Sequence, residues 1–172
     1  MNKRIQEVLP GSRPELAEIE AKILKERGRI SPLYQVLLNS PEIAKGWETL
    51  LSAVRNRSSL PARLREIMIL RVAVINRAQF EFDAHAPIAR KEGVSEEQIE
   101  LLQQDKVIRG FSDIEILVLE LTDVMTKQIQ VPDELYDQVK VHFNDQEILE
   151  VVTTISAYNM VSRLLNALHV GH

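Results

Sequence analysis

The chemistry in this chain is densest between Asn76 and Pro87. Glu81 and His85 are four residues apart, so on a helix they share one face, with Ala78 a further turn back. A carboxylate beside an imidazole raises its pKa and fixes its tautomer, which suits a general acid or base. The commoner reading of such a pair is a surface contact. A metal site is a third reading, with Glu66 joining Glu81 and His85, but no clear further ligand stands nearby. Pro87 cannot donate to the carbonyl of Asp83, so a bend or an end of the helix is predicted beside His85.

The helix before this segment, expected over 61–75, is apolar almost all round beyond its first turn. Such a helix belongs in the middle of a fold. Glu66 and Arg71 are its exceptions and need partners. For Glu66, a surface place near the positive helix start is the alternative. Asn76 and Arg77 leave room only for a tight turn, so helix 61–75 and helix 78–92 must run antiparallel. At ~1.5 Å per residue, Glu66 stands roughly 15 Å back from the turn, and His85 stands at a similar depth. The two are expected within hydrogen-bond reach, directly or through one water, at the floor of a pocket, with Glu81 one turn nearer the hinge.

Arg71, Arg77 and Arg163 could clamp an anion, because guanidinium matches a carboxylate with two parallel hydrogen bonds. Salt bridges are the alternative for each. His142, His169 and His172 belong to no constellation and read as surface or tail residues. Trp47, Phe80 and Phe82 read as core or pocket wall, and the Lys22–Arg29 cluster, with Glu26 inside it, as a solvated helix face.

The elements that must position these residues are helices. Apolar residues recur at a period of 3.6: Leu16, Ile19 and Ile23; Ile43, Trp47, Leu50 and Val54; Ile114, Leu117, Val118, Leu121 and Met125; Leu135 and Val139; Ile148, Val152 and Ile155. Helices are predicted near 14–27, 32–38, 41–56, 61–75, 78–92, 96–104, 113–128, 133–143 and 145–169. Pro14, Pro32, Pro41, Pro61 and Pro132 stand at helix starts, where a missing N–H costs nothing. Ser31 and Ser40 read as N-caps, Ser95 with Gln98 and Ser112 with Glu115 as capping boxes, and Asn144 with Glu147 as a weaker variant. Gly28, Gly93 and Gly110 are expected to close helical runs. No strand-like alternation or hairpin signal occurs. The class is all-α, one helical domain over 1–172, with an N-terminal arm over 1–56 and a core over 57–172.

The 172 residues carry 21 Lys and Arg against 25 Asp and Glu, a net charge of -4, so nothing draws the chain toward nucleic acid. Cysteine is absent. Disulfides, thiolate nucleophiles and redox dithiols are thereby excluded. There is no signal-peptide pattern and no apolar run of membrane-spanning length, so a cytoplasmic protein without a membrane partner is expected.

The run from Leu64 through Glu66, then Glu81-Phe82-x-x-His85, Ala89, Gly93 and Val94 to Ile99, resembles the carboxymuconolactone decarboxylase family, within the alkylhydroperoxidase D-like superfamily. The stretch from Tyr158 to Leu168 is similar to the last helix of many members, and the resemblance extends from about Trp47 onward. It implies a compact multi-helix bundle and a homo-oligomer, a trimer or a hexamer of trimers. In the redox branch a glutamate is followed twelve residues later by a CxxC, and by a histidine four residues after its second cysteine. Glu66 and His85 fit that spacing, but Ala78 and Glu81 occupy the cysteine positions, so thiol peroxidase chemistry is unavailable.

What the resemblance implies is a cofactor-free enzyme doing decarboxylation, or related proton transfer, on a small acidic cyclic or lactone metabolite. His85 would be the acid/base, Glu81 its orienting partner and Glu66 a second proton carrier. Arg71 or Arg163 would bind the anionic substrate. Isomerase and hydratase chemistry stay open, as does a non-catalytic helical oligomer that binds a small ligand or merely packs.

Overall fold

Helix starts in this chain are written by proline, serine and asparagine, and the computed structural model, which describes residues 4–171, follows those marks. Every regular element among the described residues is helical: a 3-10 turn at Pro14–Leu16, then α1 (Ala17–Arg27), α2 (Pro32–Leu37), α3 (Pro41–Asn56), α4 (Ala62–Ile75), α5 (Gln79–Lys91), α6 (Glu96–Leu102), α7 (Asp113–Lys127), α8 (Asp133–Lys140) and α9 (Asp145–Leu168). The fold is all-α, and each predicted helix is present with its ends moved by no more than a turn. His172 lies outside the described residues. No described helix is long and apolar enough to cross a membrane.

The chain divides into two units. One runs through Arg57 and takes in the residues from Leu164 onward; the other is Ser58–Arg163. The end of α9, expected in the core over 57–172, belongs to the first unit.

In the first unit α1 and α2 pack on α3. Leu16, Ile19, Ile23, Leu37, Trp47, Leu51 and Val54 are buried there, whereas Ile43 and Leu50 are exposed. The inward stripe of α3 is Ala44, Trp47, Glu48, Leu51 and Val54, rotated from the one predicted. A polar side chain displaced the expected apolar ones because it finds partners inside. Glu48, fully buried, accepts from the Tyr34 hydroxyl, from the Ser52 hydroxyl and from Arg27 Nε at 3.1 Å. Arg27 also donates to Ser52 Oγ at 3.2 Å and lies over the Tyr34 ring at 5.8 Å. Burial, then the bond to Glu48, push the Tyr34 hydroxyl pKa well up. Arg27 is thus no part of a solvated helix face.

In the second unit α4 is central, packed by α5, α6 and α7, with α8 on α7. Ile67, Met68, Ile69 and Leu70 are wholly buried in succession, as the all-round apolar pattern requires. Ser95 with Gln98 and Ser112 with Glu115 form reciprocal capping boxes. Asn144 and Glu147 exchange the same two bonds at 2.9 Å each. Ser31 and Ser40 occupy N-cap positions but make no side-chain cap bond. Helix α8 stops short because His142 and Phe143 donate to carbonyls three residues back, tightening the last turn. Gly110 closes no helix. It sits in the loop before α7 with φ 84°, where an added Cβ would overlap Leu101 Cδ1.

Candidate functional site

Two helices and the turn between them build the site. Helix α4 ends in a paired-bond C-terminal motif: Arg77 N–H donates to the Val74 carbonyl at 3.0 Å and Ala78 N–H to the Ala73 carbonyl at 2.8 Å. The motif needs a left-handed residue, and here a non-glycine residue supplies it, Arg77 at φ 53°. The chain reverses within three residues and α5 returns along α4. Pro87 does not stop α5, which continues to Lys91. Both Pro87 and Asp83 are exposed, so the carbonyl that Pro87 leaves without an N–H lies on the outer face.

The reversal brings Glu66 and His85 together. His85 Nδ1 is 2.6 Å from Glu66 Oε2, and His85 Nε2 is 3.1 Å from Glu81 Oε1. The three side chains are 4%, 2% and 8% exposed for His85, Glu66 and Glu81. Glu66 is therefore not the surface residue that its place near a helix start allowed. The imidazole stands edge-on to the Tyr158 ring of α9, with centroids 5.2 Å apart at 87°. Burial, the largest influence, pushes the imidazole pKa down. The hydrogen bonds and charges of Glu66 and Glu81 together outweigh it, and the net direction is up.

Charge explains what this arrangement can do. An imidazolium donates from both nitrogens, one to each carboxylate, and the group of three then carries one net negative charge. Moving a proton from the ring to either carboxylate changes no other bond. The geometry is one that can pass a proton, with a carboxyl at each end. The two carboxylates lie on opposite edges of the ring, so the three residues do not converge on one point as a metal site would need. Among the described residues, no group of three such side chains is placed to hold a metal ion.

Arg71 does not serve as the expected anion clamp. It donates to Asp123 Oδ1 and Oδ2 at 2.5 and 2.6 Å, to the Leu102 and Gln104 carbonyls at 2.8 and 2.5 Å, and to the Asp105 carbonyl at 2.8 Å. A guanidinium has five N–H groups, and all are spent. Its charge caps the C-terminal end of α6, which is why that helix ends at Leu102 rather than Gln104. Among the described residues Arg163 gives one bond, at 2.9 Å, to Asn159 Oδ1. Arg77 is exposed and, with Ala73, Val74, Gln79, Phe82 and Gln103, lines a cavity of about 250 Å³ beside the turn. Neither Glu66 nor His85 lines it, so it is not the pocket expected above them. Phe82 is a pocket wall, Trp47 is core and His142 is exposed.

Sequence reasoning passed over two neighbours of the group. Tyr158 is one; only the resemblance of the last helix hinted at it. Arg65 is the other, with its Nε 3.9 Å from Glu66 Oε1. The signal was available, since Arg65 immediately precedes Glu66 on a buried helix.

Residues 41–123, which carry Glu66, Glu81 and His85, match the model of the carboxymuconolactone decarboxylase family. A protein of Bacillus subtilis, the uncharacterized YdfG, is 32% identical over 110 residues, spanning 63% of this chain and 75% of its own. The chain belongs to the carboxymuconolactone decarboxylase family. Among solved structures it is similar to a protein of Agrobacterium tumefaciens described as a putative antioxidant defence protein AhpD. That likeness has a TM-score of 0.72 at 28% identity, over 78% of this chain and 93% of that one. The debrominase Bmp8, solved with 2,3,4-tribromopyrrole, shares the fold with a TM-score of 0.81 at 13% identity, covering 99% and 91% of the two chains. Where the resemblance to the redox branch would place two cysteines, this chain carries Ala78 and Glu81.

Proposed function

We propose that this member of the family is an enzyme that moves protons on a small acidic cyclic or lactone-like metabolite, without a cofactor, with decarboxylation as its leading reaction. The observation that carries this reading is one buried imidazole held between two carboxylates. His85 has no nitrogen left for a substrate, so its part is to carry charge between Glu66 and Glu81. Glu81, the most exposed of the three, exchanges its proton with solvent, and Glu66 delivers a proton to carbon. In decarboxylation the bond to the carboxylate breaks, carbon dioxide leaves, and the electron pair spreads into a neighbouring carbonyl as an enolate. The Glu66 proton then goes to carbon and is replaced through His85 from Glu81. Thiol peroxidase chemistry has no residue to run on, since cysteine is absent.

Carbon dioxide release from a panel of lactone and keto carboxylic acids tests the reading. On the acid that reacts, His85→Ala and Glu66→Gln should each lower the rate by about 10²-fold or more, while His142→Ala leaves it unchanged. Turnover that survives both substitutions would remove the relay from the mechanism. The family's assembly as a homo-oligomer, a trimer or hexamer, extends to this chain in the same proposal, and exposed Ile129, Val141 and Leu149 support it. Light scattering is the check: a stable monomer at micromolar concentration would overturn it.

A further inference from the structure

Among the described residues, one buried guanidinium nitrogen alone lacks an acceptor from the chain. Arg71 spends all five donors, Arg27 bonds Glu48 and Ser52, and Arg63 reaches Glu115, the Gly93 carbonyl and Gln98. Arg65 differs. Its side chain is only 13% exposed, its Nε is buried, and no acceptor among the described residues meets that N–H. The nearest charge is Glu66 Oε1 at 3.9 Å, beyond a hydrogen bond. The other Glu66 oxygen is already on His85. A desolvated guanidinium donor without a partner is costly, and a partner from outside the chain removes the cost.

We propose that Arg65 is the anchor for a carboxylate of the ligand, seated next to Glu66 Oε1. This rests on the relay reading and names the substrate end of that relay. Two carboxylates side by side repel unless a proton lies between them. Anchoring a carboxylate at Arg65 therefore loads Glu66 with a proton, the state it must be in to deliver one to carbon. An ion-paired carboxylate is also stabilised against being lost, since ground-state binding of a leaving group does not speed its departure. The anchored carboxylate survives the reaction. The substrate class is then a dicarboxylate where carbon dioxide is lost, and a monocarboxylate where the proton is only moved.

Titration calorimetry with cyclopentanecarboxylate and its neutral carboxamide tests the anchor on the full chain. Wild type should bind the carboxylate roughly tenfold or more tightly than the carboxamide, with proton uptake and with affinity falling as pH rises. Arg65→Gln should erase that preference and leave carboxamide binding unchanged. The Arg65 Nε–H resonance of the wild type should also shift with the carboxylate and not with the carboxamide, a readout that needs no variant. An unmoved resonance, equal binding of the two compounds, or undiminished carboxylate binding by Arg65→Gln would each overturn the anchor. Because these are binding measurements, they fail independently of the relay, which fails only if turnover survives His85→Ala and Glu66→Gln.

Discussion

Each unit of this protein buries a charged cluster, and the two clusters are built on opposite terms. Around Glu48, one carboxylate meets one guanidinium, a phenol and a serine hydroxyl, and the charges cancel. Around His85, two carboxylates share one imidazole, and an arginine nearby is left with an idle donor. The first arrangement is closed: no proton can move without leaving an ion unpaired. The second is open, because the ring has a carboxylate on each side to which a proton can move.

The sharpest break between the clusters should come from deleting a carboxylate in each. Glu48→Ala strands the buried Arg27 and should cost about 3–5 kcal/mol of stability, read from denaturant unfolding. A cost as small as that of a surface change would show that Arg27 is free to turn outward, and the contrast would collapse. Next in size is the pH dependence of the open cluster. The folded-state pKa of His85 is raised, so its two bonds contribute fully below the unfolded-state value of about 6.5 and fade as pH climbs through the higher folded-state value. The gap in Tm between wild type and His85→Gln should therefore narrow on the alkaline side, which thermal melts across neutral and alkaline pH would register. A gap that widens there would mean that the ring is neutral in the folded state. The smallest effect belongs to the turn that aligns the open cluster. Arg77 holds a left-handed conformation that glycine adopts freely, so Arg77→Gly should gain about 1 kcal/mol in unfolding free energy. Loss of stability would mean that the Arg77 side chain, not its backbone, holds the turn.

Much of this was legible before any coordinates. Proline, serine and asparagine marks and the 3.6 period located the helices, because helix ends are settled within a few residues of themselves. The meeting of Glu66 with His85 was legible because both lie within one helical hairpin, where rise per residue and a tight turn leave little freedom. What was hidden depended on distant partners. Arg71 looked like a spare cation until the end of α6 and Asp123 closed round it. Glu48 carried no signal of burial, since nothing near it in sequence announced Tyr34 and Arg27. Arg65 was legible as the neighbour of Glu66 but not in its distinction, which is a bond that the described residues do not make.

The hairpin also works as a ruler. One residue added to or removed from either helix between Glu66 and His85 turns everything beyond it by about 100° and shifts it by about 1.5 Å. Such a change would carry His85 off the face that meets Glu66 while leaving the helix itself intact. Relatives that keep this contact must then keep the nineteen-residue interval between these two residues, and length variation in their sequences should gather elsewhere, in the loops before α4 and after α5.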